Sequence, residues 1–208
     1  MGSKRLDDSL TYIWPLPSGY TYGDETLSVD PALSLVVGGN GGGSMIVKEG
    51  FDRYRRIIFA NGDAFSIFHA LRKRKAVYDI SRLKIVVHSG DEELQLGVDE
   101  SYTLLVNKKD GQSVVGEVTI EATTVYGALR GLETFSQLCA FDYGAKSVLI
   151  RKAPWLIKDK PRFAYRGLLL DTSRHYLPVH VIKHILDSMS YAKLMSFIGI
   201  SLTNSHSL

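Results

Sequence analysis

The clearest pattern along the chain is a helical stripe of apolar residues in TVYGALRGLETFSQLC, residues 124–139. Apolar side chains recur there at the spacing of one helix face: Val125, Ala128, Leu129, Leu132, Phe135 and Leu138. The Thr-Thr pair that ends at Thr124 provides an N-cap. We therefore predict an amphipathic helix that covers one face of a sheet.

Three strand candidates precede this helix, at residues 83–88, 102–106 and 116–122. In the last of them Val118, Ile120 and Ala122 alternate with Thr119 and Glu121, as expected for a strand with one buried face. Residues 51–75 are predicted to be mostly helical, with a break near Asn61-Gly62. An antiparallel sheet covered on one face by helices, an α+β fold, is the natural packing for this set.

The N-terminal part is predicted to be extended. Two prolines exclude a helix in residues 12–18, and residues 27–37 are interpreted as strands around a turn at Asp30-Pro31. The tract GGNGGG, residues 38–43, lacks the Lys-Ser/Thr that follows a phosphate-binding loop. A flexible connection is the better interpretation of this tract.

The pattern changes after Lys152. APWLIKDKPRF, residues 153–163, is interpreted as a linker, and GLLLDT, residues 167–172, as a strand that is apolar on both faces and therefore typical of a parallel sheet. Pro178 is expected at the first position of a helix that runs to about Lys193. A strand followed by an amphipathic helix forms one β/α unit.

Composition narrows the class of protein. Apolar residues make up 45% and charged residues 23% of the 208 residues, which is typical of a globular protein. The net charge of +3 and a single basic run, Arg72–Lys75, do not indicate a nucleic-acid partner. Cys139 is the only cysteine, which excludes an internal disulfide, and we expect it on an apolar helix face. Neither a membrane span nor a signal peptide is visible.

Candidate chemistry is concentrated in DTSRHYLP, residues 171–178, directly after the predicted parallel strand. Residues at the carboxyl ends of such strands line active sites. Arg174 could clamp adjacent hydroxyls or a carboxylate, Asp171 could orient it, and His175 could do either or simply pack. Taken alone, an Arg-Asp pair is more often structural.

Two further histidines share a helix face, His180 and His184, but no HExxH pattern accompanies them, so solvated side chains are expected. No metal or cofactor is predicted.

YRGLLLDTSRHYLPVHVIKHILDSMSYAKL, residues 165–194, resembles the opening of the catalytic domain of plant-type β-N-acetylhexosaminidases of glycoside hydrolase family 20. VYGALRGLETFSQLC resembles the end of that family's N-terminal accessory domain, and IWPLP resembles its start. The resemblance implies a tail at 1–11, a non-catalytic α+β domain at 12–155, and the first β/α unit of an incomplete (β/α)₈ barrel at 156–194.

The same resemblance implies removal of terminal β-linked N-acetylhexosamine from glycans and chito-oligosaccharides, with retention of configuration through substrate assistance. Arg174 matches the arginine that grips the terminal sugar, with Asp171 and His175 as possible supporting residues. The catalytic Asp-Glu pair of the family has no match in this chain, so we expect it to be inactive alone. The alternative is a non-enzymatic accessory or subunit-interaction module. The family further implies a vacuolar, lysosome-like or extracellular location and a possible homodimer.

Residues 195–208, MSFIGISLTNSHSL, depart from the family. Plant members continue with NVLHWHIVD, and removing one base from a plausible coding string for NVLHWHIVDEQSFPL yields MSFIGISLTNSHSL followed by a stop. We therefore interpret residues 195–208 as an out-of-family, frame-shifted tail, which would leave the strand at 167–172 unpaired.

Overall fold

A computed structural model describes residues 12–60, 78–106 and 116–201 of the chain. The chain divides into two compact units, one formed by residues 1–94 and 98–161 and the other by residues 95–97 and 162–208. The first contains β1 Gly19–Gly38, α1 Met45–Phe59, β2 Ile80–Val87, β3 Tyr102–Val106, β4 Glu117–Ala122, α2 Val125–Leu138, β5 Cys139–Asp142 and β6 Ser147–Asp159. The second contains β7 Gly167–Asp171, α3 Val179–Tyr191 and β8 Ser196–Ile200. None of the helices in the described ranges is long and apolar enough to cross a membrane.

The first unit is built on a six-stranded sheet with the order β1-β2-β4-β3-β6-β5, in which β1 also pairs with β6. The β1–β2 and β2–β4 pairs are parallel, and the other pairs are antiparallel. The predicted α+β class is confirmed, but the sheet is mixed rather than antiparallel. The reason is α1, which carries the chain back across the sheet from β1 to β2, because parallel neighbours need such a crossover.

The predicted helix and its partner strand form the centre of the core. Val125, Ala128 and Phe135 of α2 are completely buried. The Thr124 hydroxyl accepts a hydrogen bond from the backbone N–H of Gly127 at 3.3 Å, which confirms the predicted N-cap. The alternation predicted for β4 is also confirmed, because its apolar face is buried beneath the helices. Burying one large apolar side chain contributes about 1.5–3 kcal/mol.

The prediction of two strands around a turn at Asp30-Pro31 was wrong. β1 passes through these residues as one strand, with a register shift against β2 between Val29 and Ser34. Pro31 has no N–H to donate to the strand pairing. The chain accommodates it by this shift in register and stays extended, without a turn. The helix predicted at 51–75 begins earlier, at Met45, and ends at Phe59, and residues 61–75, with the basic run, lie outside the described residues.

The glycine tract is a tight turn and not the loose connection predicted. A Cβ atom on Gly39 or Gly41 would overlap the backbone carbonyl of Val87 or Ser89. Gly39 also has a φ of 77°, and the Gly41 N–H donates to the Val87 carbonyl at 3.0 Å. The tract therefore places the start of α1 next to the end of β2. This close backbone contact requires glycine, because any side chain would overlap the carbonyl groups.

The predicted linker at 153–163 was also wrong over its first half, because residues 153–159 belong to β6. The division between the two units follows Pro161, six residues beyond the domain end expected at 155. Cys139 begins β5 instead of completing the helix, where it packs, partly buried, against the core.

In the second unit β7 and α3 lie where the sequence predicts them, with Pro178 at the N-cap instead of the first helical position. The strand at 167–172 is not unpaired. β8, from the tail, runs parallel to it from Gly167 opposite Ser196 to Asp171 opposite Ile200. β8 lacks the alternation of apolar and polar residues that is typical of a strand with one buried face, and for this reason no strand was predicted there. The backbone hydrogen bonds that pair two strands do not require such an alternation. β7 is only partly buried, and Leu169 is 57% exposed.

Candidate functional site

The candidate site is the loop that follows β7, and Asp171 organises it. One oxygen of its carboxylate, Oδ1, accepts hydrogen bonds from the backbone N–H groups of Ser173, at 3.0 Å, and Arg174, at 3.3 Å. This Asp-initiated turn reverses the chain directly after the strand. The backbone at Arg174 is thereby fixed to the carboxyl end of β7.

The structure brings Arg174 and Asp171 together, as predicted. The Arg174 Nε atom lies 3.2 Å from Oδ2 of Asp171, the oxygen that the turn leaves free. The Arg174 side chain is 82% exposed and the Asp171 side chain 23% exposed. Asp171 therefore holds one edge of the guanidinium, and the remaining donors of Arg174 face solvent, where they can bind hydroxyls or a carboxylate.

The predicted histidines lie apart from this pair. His175 is exposed, and its ring makes no hydrogen bond to any residue that the structure describes. The rings of His180 and His184 are 6.3 Å apart on the exposed side of α3. Within the described residues, no group of three or more His, Cys, Asp or Glu side chains is placed to hold a metal ion.

Two sets of hydrogen bonds fix the base of the loop. The backbone N–H and the hydroxyl of Thr172 both donate to the Ile200 carbonyl of β8, at 2.9 and 3.0 Å. At the other end of β7, the Arg166 side chain donates to the Lys193 carbonyl at 3.0 Å and to the Phe163 carbonyl at 2.8 Å. Arg166 therefore has a structural role. β8, through Ile200, holds in place the loop that carries Arg174.

The first unit contains a polar cleft of about 460 Å³ that the sequence analysis missed. Its lining includes His88, Glu121, Thr103 and Lys158, which come from the end of β2 and from three strands. The imidazole Nε2 of His88 lies 2.8 Å from a carboxylate oxygen of Glu121. Only the strand register places these residues together, and the sequence signal was limited to the polar alternation of β4.

Comparison with known families decides the class of protein. Residues 13–138 match the family described as beta-acetyl hexosaminidase like. The chain belongs to this family. Residues 163–207 of this β-hexosaminidase-like chain match the catalytic domain of glycosyl hydrolase family 20, so the resemblance stated for both regions is confirmed. The second match includes residues 195–207, the segment predicted to lie outside the family.

Individual relatives agree with this assignment. Beta-hexosaminidase 1 of Arabidopsis thaliana is 67% identical over 90% of this chain, and beta-hexosaminidase 3 of the same plant is 44% identical over 88%. The chain spans only 35% and 34% of the length of these two proteins.

Solved structures share the fold. The X-ray structure of the Flavobacterium johnsoniae chitobiase has a TM-score of 0.66 and 25% identity, with 94% of this chain and 28% of that chain covered. The exo-β-N-acetylglucosaminidase of Vibrio harveyi in complex with N-acetylglucosamine has a TM-score of 0.61 and 21% identity, with 93% of this chain and 26% of that chain covered.

Proposed function

We propose that the chain forms the N-terminal part of a β-N-acetylhexosaminidase. The complete protein would remove terminal β-linked N-acetylglucosamine or N-acetylgalactosamine from glycans and chito-oligosaccharides, with retention through the substrate's own acetamido group. The pair formed by Asp171 and Arg174 at the carboxyl end of β7 carries this proposal, because the ends of parallel strands line the active sites of β/α barrels. The relatives named beta-hexosaminidase support it.

Within this function Arg174 binds the substrate and Asp171 positions Arg174. A guanidinium only donates hydrogen bonds, so its exposed edge suits the oxygen atoms of sugar hydroxyls. Asp171 is the only carboxylate in residues 167–178, and both of its oxygens are engaged. The loop therefore contributes binding and not proton transfer, and we expect no turnover from the 208-residue chain alone. His175 is a supporting residue in this proposal.

A chimera tests the role of Arg174. Residues 13–194 of this chain would replace the matching part of Arabidopsis beta-hexosaminidase 1, and hydrolysis of a chromogenic N-acetyl-β-glucosaminide would be measured. We expect an active chimera, and Arg174→Ala should lower kcat/KM by about 10- to 150-fold, the effect of one hydrogen bond from a charged group. Arg174→Lys keeps the charge but loses the fork of donors, so it should recover little of the loss.

His180→Ala is the matched control, because His180 is an exposed residue of the same unit outside the loop. It should leave kcat/KM unchanged. A chimera that is active but insensitive to Arg174→Ala would exclude the proposed binding role, and strong turnover by the 208-residue chain alone would contradict the division of labour between binding and proton transfer.

A second candidate function is a non-enzymatic accessory or subunit-interaction module. The continuous core of the first unit favours it, because within the described residues that core includes α1, α2 and the six-stranded sheet. Co-purification of the 208-residue chain with a full-length β-hexosaminidase subunit, without any turnover of its own, would support this candidate. Homodimerisation of the full-length protein and a vacuolar, lysosome-like or extracellular location are further proposals of the same family resemblance.

The origin of residues 195–208 in a frame shift stays a proposal. Sequencing the transcript across the codon for Met195 tests it. Recovery of one additional base, with NVLHWHIVD in the restored frame, is the expected result. Several independent transcripts that all encode MSFIGISL would show that the segment is expressed as it stands.

A further inference from the structure

The polar cleft of the first unit lies where a ligand site is expected in a sheet with parallel strands. His88 directly follows β2 and Thr123 directly follows β4, and both line the cleft. In open α/β sheets, ligands bind in the crevice outside the carboxyl ends of the parallel strands, and the carboxyl ends of the parallel pair β2 and β4 border this cleft. The volume of about 460 Å³ falls within the range of small-molecule sites, roughly 300–1,000 Å³.

Strand register arranges the polar groups of the cleft in a row. Thr103 of β3 is paired with Glu121 on one side and with Lys158 on the other. Directly opposed residues on one sheet face lie about 5 Å apart, so the three side chains extend over roughly 10 Å. His88 lengthens the row beyond Glu121, with the two side chains in contact and each 55% exposed.

The chemistry of this row selects a class of ligand. The Glu121 carboxylate only accepts hydrogen bonds, the Lys158 ammonium only donates them, and the Thr103 hydroxyl does both. Thr103 stands between the two charges, and the structure shows no ion pair between them within its described residues. Charges of both signs line the cleft, with Asp159 and Lys160 beside this row, so neither an anion nor a cation can contact the whole row favourably. A ligand with neighbouring hydroxyl groups can donate a hydrogen bond to Glu121 at one end and accept one from Lys158 at the other.

One wall of the cleft is held in place before any ligand arrives. The Asp159 carboxylate accepts hydrogen bonds from the backbone N–H of Ser18, at 3.0 Å, and from the Ser18 hydroxyl, at 3.3 Å. The buried Tyr102 hydroxyl donates to the other oxygen of Asp159 at 3.1 Å. Fixed walls lower the entropy that binding costs.

We propose that this cleft binds a saccharide through the row formed by His88, Glu121, Thr103 and Lys158. Neighbouring hydroxyls of a sugar ring donate to Glu121 and accept from Lys158, and the Thr103 hydroxyl serves the position between them. This site goes beyond the proposed function, because it needs neither hydrolysis nor any residue of the loop after β7.

The test is a titration of the ¹⁵N-labelled 208-residue chain followed by amide chemical shifts. The saccharide probes are N,N′-diacetylchitobiose and cellobiose, and acetate and inorganic phosphate are the anion probes. We expect at least one saccharide to produce saturable shifts at the amides of Thr103, Glu121 and Lys158. Thr103→Val and Lys158→Met should each weaken this binding by about 3- to 10-fold, the effect of one hydrogen bond.

Matched controls come from the same sheet. Thr119→Val and Lys84→Met change the same residue types on β4 and β2, at positions outside the cleft lining, and should leave the affinity unchanged. Far-UV circular dichroism checks that each variant is folded, and Lys158→Gln replaces Lys158→Met if that variant does not fold.

Three results would overturn the proposal: no saturable shift with either saccharide, shifts at the cleft with acetate or phosphate only, or equal losses in the cleft and control variants. An active chimera without binding at the cleft would reject this site and leave the hexosaminidase proposal intact. An inactive chimera with binding at the cleft would do the reverse.

Discussion

The side-chain amide of Gln137 in α2 forms two hydrogen bonds with the backbone of Trp14. Its amide nitrogen donates to the Trp14 carbonyl, and its amide oxygen accepts from the Trp14 N–H, both at 2.7 Å. The same nitrogen also donates to the buried Glu133 at 2.8 Å. The extended N-terminal segment is thus attached to the helix 123 residues later in the chain.

Gln137→Ala should therefore lower the free energy of unfolding by about 1–3 kcal/mol, because two backbone groups and Glu133 lose their partner. Urea denaturation measures this change, and limited proteolysis should cleave the variant faster near Trp14. Gln95→Ala, at an exposed position, is the control and should change neither readout. Equal stability of the two variants would show that the contact contributes little.

The ion pair between Arg130 and Glu100 is the second test of stability. Arg130 Nε lies 2.7 Å from a Glu100 oxygen, and the Glu100 side chain is 3% exposed. Glu100→Ala should destabilise the protein by about 3–5 kcal/mol, because the largely buried guanidinium of Arg130 loses the carboxylate that lies against it.

Asp52→Ala is the matched control for this pair. Asp52 forms an exposed pair with Arg55 at 3.9 Å, and its loss should cost no more than about 0.5 kcal/mol. Similar losses in urea denaturation from both substitutions would show that burial does not set the strength of these pairs.

Gly131 lies where α2 closely approaches the sheet. A Cβ atom there would lie 2.6 Å from a methyl group of Ile120 in β4. Gly131→Ala should therefore lower the unfolding free energy by about 1–3 kcal/mol, although alanine is the better helix former.

Gly43→Ala, where an added Cβ meets nothing within 4 Å, should be neutral or slightly stabilising. Thermal unfolding of both variants measures the difference. A Gly131→Ala protein as stable as the wild type would mean that the helix can move away from β4.

The carboxylate of Asp99 predicts a dependence of stability on pH. Hydrogen bonding from the Ser101 hydroxyl, with further bonds from the Ser101 N–H and the Thr123 hydroxyl, lowers the pKa of Asp99 below its usual range. A carboxylate whose pKa is lower in the folded state stabilises the protein above the unfolded pKa, about 3.9, and this contribution disappears as pH falls through the folded pKa.

The urea midpoints of wild type and Asp99→Asn should therefore differ by a constant amount between about pH 5 and 7, and the difference should shrink below about pH 4. Asp24→Asn, at an exposed position of β1, is the control. A difference for Asp99→Asn that stayed constant down to pH 2 would exclude this carboxylate as the source.

A fragment of residues 12–161 should fold by itself in one cooperative transition. It contains the six-stranded sheet and the two helices described in the first unit, and it ends where the structure divides the chain. Because the fragment lacks the half-exposed apolar residues of β7 and β8, it should remain soluble at higher concentrations than the full chain. Size-exclusion chromatography and thermal unfolding measure both properties, and a non-cooperative fragment would contradict the division.

The sequence predicted best those elements that bury a single face. The apolar stripe of α2 and the alternation of β4 each indicate which face of the element is buried, because each element packs against the core with one face. The continuity of β1 and the whole of β6 escaped prediction, since the prolines in both suggested breaks. Pairing with strands far away in the sequence overrides that local signal.

The two candidate sites differ in the same way. Asp171 and Arg174 are three residues apart, so a local motif and a predicted strand end sufficed to bring them together. The row from His88 to Lys158 depends on the register of three strand pairs, and no short motif contains it.

The pairing of β1 with β6 also bears on how this chain is made in the cell. The Ser18 hydroxyl at the start of β1 donates to the Lys158 carbonyl, 140 residues later. At a synthesis rate of about 5–20 residues per second, the nascent N-terminal strand waits roughly 7–28 s for its partner to be translated. During that interval the N-terminal half of β1, residues 19–29, lacks its partner strand and is exposed to wrong pairing with other chains, whereas the C-terminal half can already pair with β2.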